Sequence, residues 1–276
     1  MAKIDQAEGL RRMLAVPRPR VISFLTVLPH AQKNTLLVNL AAALAQQGQS
    51  TLLLDARNDQ GGVSSWFNLH PGLSLLEVAN QQRNASQVIK PVANGLSAAR
   101  LGLMQGAARN RDISRRLADV FEFTAKRFDI ILVDASCNSN GELPLASLDD
   151  SEIVVQLSAE TDQIMSAYGL IKRIQQRNGR RSFGIMVTET ARHEAKKVFQ
   201  NMAEVADRYL ASPLDWIGNI PSDDKLHTAT ASGRTIIEAF PSAPAAQAYF
   251  AMAEHFHYQS DLGLSGRQES GVGLGI

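Results

Sequence analysis

Three residues set the chemical question. Lys33 stands in the segment Leu28-Pro29-His30-Ala31-Gln32-Lys33-Asn34-Thr35, between an apolar run and a helical one, and Asp55 and Asp134 each close an apolar run, STLLLD and FDIILVD. In a parallel α/β sheet the ligand site lies at the carboxyl ends of the strands. The first βα loop there presents backbone N–H groups and a helix N-terminus to an anion. A lysine in that loop supplies a cation for phosphate. The position of the segment suits a phosphate cradle, but its composition does not. It has no glycine to give positive φ and close backbone approach, Pro29 removes a donor, and Asn34 follows Lys33 where a metal-ligating hydroxyl belongs. Thr35 comes one residue late, about 100° further round a helix.

Other reactive groups are sparse. His30 and Cys137 both fall in strand-end loops, but a cysteine nucleophile needs an orienting third group and an oxyanion site, and the sequence specifies neither. The histidines show no metal-ligand spacing: His255 and His257 are two apart on a helical stretch and cannot face one site. No catalytic or metal-binding set is therefore assigned.

The elements that must position these residues alternate between apolar runs and amphipathic stretches, the pattern of repeated βα units around a parallel sheet. Strands are predicted over 21–28, 50–55, 97–104, 128–134, 152–157, 182–188 and 214–220, and helices over 35–47, 113–127, 161–177, 194–210 and 244–257. Together they make one doubly wound α/β domain, 21–257, with a mostly parallel sheet of seven to eight strands. Ahead of it, residues 1–16 hold a short amphipathic helix with Ile4, Ala7, Leu10, Met13 and Leu14 on one stripe. The linker 17–20 follows, stopped by Pro17 and Pro19. The Gly- and Ser-rich stretch 258–276 reads as a flexible tail.

Composition bounds the function. The chain has 276 residues, 28 Lys+Arg against 27 Asp+Glu for a net charge of +1, and one cysteine. Near-neutral charge argues against a broad cationic face for nucleic acid. The cluster Arg111, Arg115, Arg116, Lys126 and Arg127 is more simply a solvated helix face. A lone Cys137 allows no internal disulfide, and no stretch approaches the roughly 20 apolar residues of a membrane span. A cytoplasmic protein is expected.

Three segments carry a family resemblance. They are Asp5-Gln6-Ala7-Glu8-Gly9-Leu10-Arg11, the central FDIILVDAS strand, and the run AYGLIKRI with WIGNIPSDDKLHTATASGRTIIEAFPSAPAAQAYFAMA. With the frame from Lys33 through VNLAAALAQQGQSTLLLDA, they resemble the MinD/ParA deviant Walker ATPases with the P-loop NTPase fold. Within that family the chain looks most like the FlhG/FleN regulators of flagellar number. The family pattern KGGVGKTT falls on residues 28–35, where only Lys33 and Thr35 match and the cross-dimer lysine is Leu28. The resemblance places Asp55 as the first Asp of a D-x-D pair whose second, water-orienting member is Arg57. It places Asp134 as the carboxylate that holds Mg²⁺, and Pro221 in the base-contact loop. A vestigial nucleotide site of Lys33, Asn34, Thr35, Asp55, Asp134 and Pro221 follows. ATP and Mg²⁺ are the implied cofactors, and the losses argue against both.

The resemblance further implies a flagellar regulator acting by protein contact. Asp5, Gln6, Ala7, Leu10 and Arg11 would bind an FlhF-like SRP-type GTPase, and the body would contact flagellar assembly machinery or a transcription activator. It implies recruitment to the cell pole or inner membrane through partners, with no stable membrane anchor and no specific nucleic acid. The alternative is an active ATPase with an ATP-dependent monomer–dimer cycle; a ParA-like DNA-partitioning role is weakened by the charge balance. Bland readings stand beside these: Lys33 as a solvated helix-start lysine, Asp134 as a cap of its own loop, 5–11 as an exposed amphipathic helix. Arg57 is expected within ion-pair distance of Asp55 or Asp134, and the loop 29–32 is expected to be collapsed or capped.

Overall fold

A computed structural model describes residues 19–57, 61–102, 111–210 and 212–265, with side chains placed through Phe256. The partner-binding residues expected between Asp5 and Arg11 lie outside the described residues, as does 266–276.

The elements are β1 (Arg20–Thr26), α1 (His30–Gln46), β2 (Thr51–Asp55), α2 (Leu75–Ala79), α3 (Ala85–Val88), β3 (Lys90–Ala93), β4 (Leu96–Arg100), α4 (Arg111–Ala125), β5 (Ile130–Asp134), β6 (Glu152–Leu157), α5 (Thr161–Asn178), β7 (Phe183–Thr188), α6 (Arg192–Leu210), β8 (Leu214–Ile220), α7 (Asp224–Ala231), α8 (Ile236–Ala239) and α9 (Pro244–Ser265). They build one eight-stranded sheet in the order β3-β4-β2-β5-β1-β6-β7-β8. Only β3 runs antiparallel to its neighbour.

The apolar runs are continuous because the sheet is covered on both faces. Leu52, Leu54, Ile131 and Val133 pack on one face with Leu117 and Phe121 of α4, Ile171 of α5 and Met202 of α6. Leu53, Leu132, Ile22 and Phe24 pack on the other with Leu36, Leu37 and Leu40 of α1 and Tyr249 and Met252 of α9. Consecutive residues of β2 thus point to opposite cores, as the period of two demands. Helix α1 is apolar nearly all round because it is enclosed between the sheet and α9.

Three differences from the sequence-based expectation have local causes. Strand β3 was not foreseen: it is a short edge strand with Pro91 inside it and Lys90 exposed, and neither an alternating nor a continuous apolar pattern marks it. Helix α1 begins at His30 rather than Thr35, because nothing in His30-Ala31-Gln32 opposes a helix and Pro29 serves as its N-cap. The boundary drawn after residue 257 falls inside α9, which runs to Ser265. The expected loop 29–32 is therefore a turn of helix.

Candidate functional site

Strands β2 and β5 are neighbours, and their last residues, Asp55 and Asp134, are register partners. Both are buried, at 3% and 0% exposure. Two carboxylates side by side out of water repel and must be met by donors or a cation. Lys33 supplies the cation. Its first-turn position on α1 sends the side chain into the sheet, where Nζ lies 2.6 Å from Asp134 Oδ1 and donates to the Ala135 carbonyl oxygen at 2.6 Å. The side chain is 2% exposed, which excludes the solvated reading.

Backbone amides complete the set. The 3₁₀ turn Val63–Ser65 crosses the two strand ends, so that the Val63 N–H donates to Asp134 Oδ2 at 2.9 Å and the Ser64 N–H to Asp55 Oδ2 at 3.1 Å. The Arg57 N–H donates to Asp55 Oδ1 at 3.1 Å. The turn is fastened by Asn34, whose Nδ2 donates to the Gly61 carbonyl at 2.9 Å, and by Arg100, whose Nη1 donates to Ser64 Oγ at 2.7 Å. Gly62 is required by contact rather than by its φ of −77°: a Cβ there would lie 2.4 Å from the Asp55 carboxylate oxygens. Nothing in the sequence marked this turn except the Gly61-Gly62 pair that opens it.

Burial and pairing oppose each other in the titration of the pair. Burial lowers the Lys33 ammonium below the usual lysine range and raises the Asp134 carboxyl, and in each case the partner's charge pulls the other way. Burial likewise raises the Cys137 thiol, with Arg173 opposing it, so Cys137 is not an activated nucleophile.

The Arg57 guanidinium, expected near Asp55 or Asp134, has its Nη1 2.5 Å from His30 Nδ1. Of the six residues assigned to a nucleotide site, Lys33, Asp55 and Asp134 come together and Asn34 joins them through Gly61. Thr35 is half-buried and its carbonyl accepts from Asn39 Nδ2 at 2.8 Å. Pro221 follows β8, with β6 and β7 between it and β1. Two residues beyond, Asp223 caps α7 through the Lys225 N–H at 2.9 Å and accepts from the Ala245 N–H at 3.0 Å, fixing the start of α9.

Beside the closed carboxylates lies a cavity of about 540 Å³, walled by the ends of β1 and β5, the start of α1 and helix α5. His30, Lys33, Arg57, Cys137 and Arg173 line it. Met165 stands at it with 68% exposure.

Comparisons follow the geometry. No family model matches the chain. Over 233 residues it is 28% identical to the antiactivator FleN of Pseudomonas aeruginosa, covering 80% of each. The septum site-determining protein MinD of Pyrococcus horikoshii, complexed with Mg-ADP, superposes with a TM-score of 0.66 at 18% identity, covering 88% of this chain and 98% of that one. A ParA family ATPase of Chlorobium tepidum gives 0.62 at 18%, covering 86% and 99%. The fold is that of MinD and ParA. On a MinD/ParA sheet, Lys33 after β1 and Asp134 at the end of β5 occupy the strand ends where the resemblance places phosphate and magnesium ligands. The residues present do not fit that group. Helix replaces the glycine cradle, and the Lys33 ammonium is held between Asp134 Oδ1, with which it forms an ion pair, and the Ala135 carbonyl, to which it donates.

Proposed function

We propose that this chain is a FlhG/FleN-like regulator of flagellar number or placement that acts through protein contacts and has lost ATP hydrolysis. The similarity to FleN supports the regulatory part. The observation that carries the loss of hydrolysis is the Lys33–Asp134 pair, which turns the cation and the carboxylate of a nucleotide site upon each other. A pair so closed leaves protein contact as the means of action.

The segment 5–11, with Gln6 and Arg11, would engage an FlhF-like SRP-type GTPase. A side chain inserted in trans can orient water or stabilise phosphate charge there. The body would contact assembly machinery or a transcription activator. The working place is the cytoplasm, with recruitment to the pole or inner membrane through partners; no described helix is long and apolar enough to cross a membrane.

The test is the number of flagella per cell in the bacterium of origin. Deleting the chain should change number or placement, and a chromosomal copy carrying Lys33→Met with Asp134→Leu, which holds neither nucleotide phosphate nor its metal and leaves no buried charge unpaired, should restore the normal count. An unchanged count on deletion overturns the regulatory reading. Failure of the well-folded double variant to complement favours the second reading, an active ATPase with a monomer–dimer cycle. That reading has its own support in the fold shared with a Mg-ADP complex of MinD.

A further inference from the structure

Among the described residues, the large apolar side chains Phe123, Met165, Val205 and Tyr209 are exposed. Phe123 on α4 and Met165 on α5 stand singly, which is ordinary for a protein surface. Val205 and Tyr209 do not. They are four apart on the last turns of α6, at 42% and 68% exposure, and so form one patch.

The patch borders a groove. The buried stripe Met202, Ala206 and Leu210 of α6 has Phe199 to one side, whose ring meets that of Trp216 on the edge strand β8 with centroids 5.4 Å apart. Val205 and Tyr209 lie on the other flank by helical periodicity, the flank toward α5. Helix α5 presents Tyr168, Lys172 and Gln175 there at the spacing of one face, and Gln175 Nε2 donates to the Leu210 carbonyl. Two helices tied near their ends thus leave a groove whose solvent side carries Val205, Tyr209 and the exposed Lys172.

The same chain holds a segment of matching character. Residues 4–14 carry the stripe Ile4, Ala7, Leu10 and Leu14, with Asp5 and Glu8 along its edge. A helix of that length needs outside burial to persist in water. Its tether to β1 is residues 15–19, which span about 17 Å when extended, and Pro17 and Pro19 favour extension of the residues before them. Arg20 opens β1 at the rim where α6 ends. The groove lies over β7, which joins α5 to α6 and stands two strands from β1, about 10 Å at the usual strand spacing. On such a tether Leu14 reaches Tyr209 first, and the segment runs up the groove with Asp5 and Glu8 approaching Lys172.

We propose that residues 4–14 dock in the α5–α6 groove of their own chain, with the apolar stripe on Val205 and Tyr209 and the acidic pair toward Lys172. The seat is shallow, so a partner that binds the same stripe displaces the segment from it. The contact itself does not depend on the flagellar reading; its consequence, that the docked segment is withheld from a GTPase partner, rests on that reading.

The test is limited trypsin digestion of the full chain, followed by mass spectrometry as cleavage after Arg11 and Arg12. Burying one large apolar side chain is worth about tenfold or more, so Val205→Ser with Tyr209→Ser should speed cleavage about tenfold over the native chain, while Phe123→Ser should leave the rate as it is. Lys172→Glu, on the opposite wall, should also speed it, and serves alone if circular dichroism shows the double variant misfolded. A native rate that neither variant exceeds overturns the proposal. So does release by Phe123→Ser, which would seat the segment on α4, or protection that rises with protein concentration, the mark of a second copy in the groove. No partner enters this assay, so its failure and that of the flagellar reading are separate results.

Discussion

The Lys33 ammonium and the Asp134 carboxylate meet at 2.6 Å with both side chains almost wholly out of solvent, one carried by the first turn of α1 and the other by the last residue of β5. Each charge is met by the other where water does not reach, so separating them would leave one buried and unpaired.

Hydrolysis of ATP should be undetectable. Loss of the glycine cradle, the metal-ligating hydroxyl, the cross-dimer lysine and the water-orienting carboxylate removes positioning and charge stabilisation together, and a single such group is worth on the order of 100-fold or more. Phosphate release measured with Mg²⁺ should match that of Lys33→Ala. Turnover that Lys33→Ala abolishes would refute this.

Breaking the ion pair should cost stability, and the cost should depend on pH. Removing one partner leaves a buried charge unmet, roughly 3–5 kcal/mol. In Asp134→Asn the lysine loses the charge that had held its pKa up. Its folded value lies below the unfolded one, so the unfolded chain takes the proton first as pH falls. Stability should therefore be greatest near and above the unfolded lysine value and fall as pH drops below it. Urea midpoints at pH 6, 8 and 9.5 should rise more steeply in Asp134→Asn than in the native protein. Lys33→Met with Asp134→Leu should recover much of the loss, since an apolar pair needs no partner charge.

Gly62→Ala should destabilise by about 1–3 kcal/mol, because its Cβ would strike the Asp55 carboxylate and the turn would have to lift. The matched control is Gly169→Ala on α5, whose nearest neighbour would be Arg173 Nη1 at 3.7 Å. Relief of a helical glycine there should stabilise by up to about 1 kcal/mol. Equal effects in thermal melts would mean that the turn does not depend on the close approach.

Removing residues 1–16 should leave the melting transition of the domain in place and abolish stimulation of an SRP-type GTPase partner. A helix under about 12 residues is marginal alone in water, so the partner would supply the burial that orders it. Gln6→Ala and Arg11→Ala should lower stimulation more than binding. Full stimulation by the truncated chain would move the functional surface to the α/β body.

Much of the sheet was legible because strands buried on both faces must be apolar throughout: Thr51–Asp55, Ile130–Asp134 and Glu152–Leu157 stand close to where the runs put them. Asp55 and Asp134 were legible as strand-end carboxylates for the same reason. What covers them was not. The Val63 amide reaches Asp134 across 71 residues of chain, and no local pattern encodes such a contact. Lys33 was misjudged in one respect: a missing glycine was read as a broken loop, when the same composition lets the helix start earlier and turns the side chain inward. The cationic cavity was invisible because its walls come from the ends of β1 and β5, the stretch after β2 and one helix 100 residues further along.

Arg20 opens β1 and pairs with Glu152 of β6 at 2.6 Å, while the same guanidinium donates to the Phe256 carbonyl in α9. The chain thus enters the domain, and its closing helix passes, at the rim opposite the strand ends where Lys33 and the cavity lie. The molecule has two poles. The seven residues of β1 separate them by about 23 Å at 3.3 Å per residue. A contact made at the Arg20 rim and one made at the strand ends need not exclude one another, and an influence of one on the other has the length of β1 to cross.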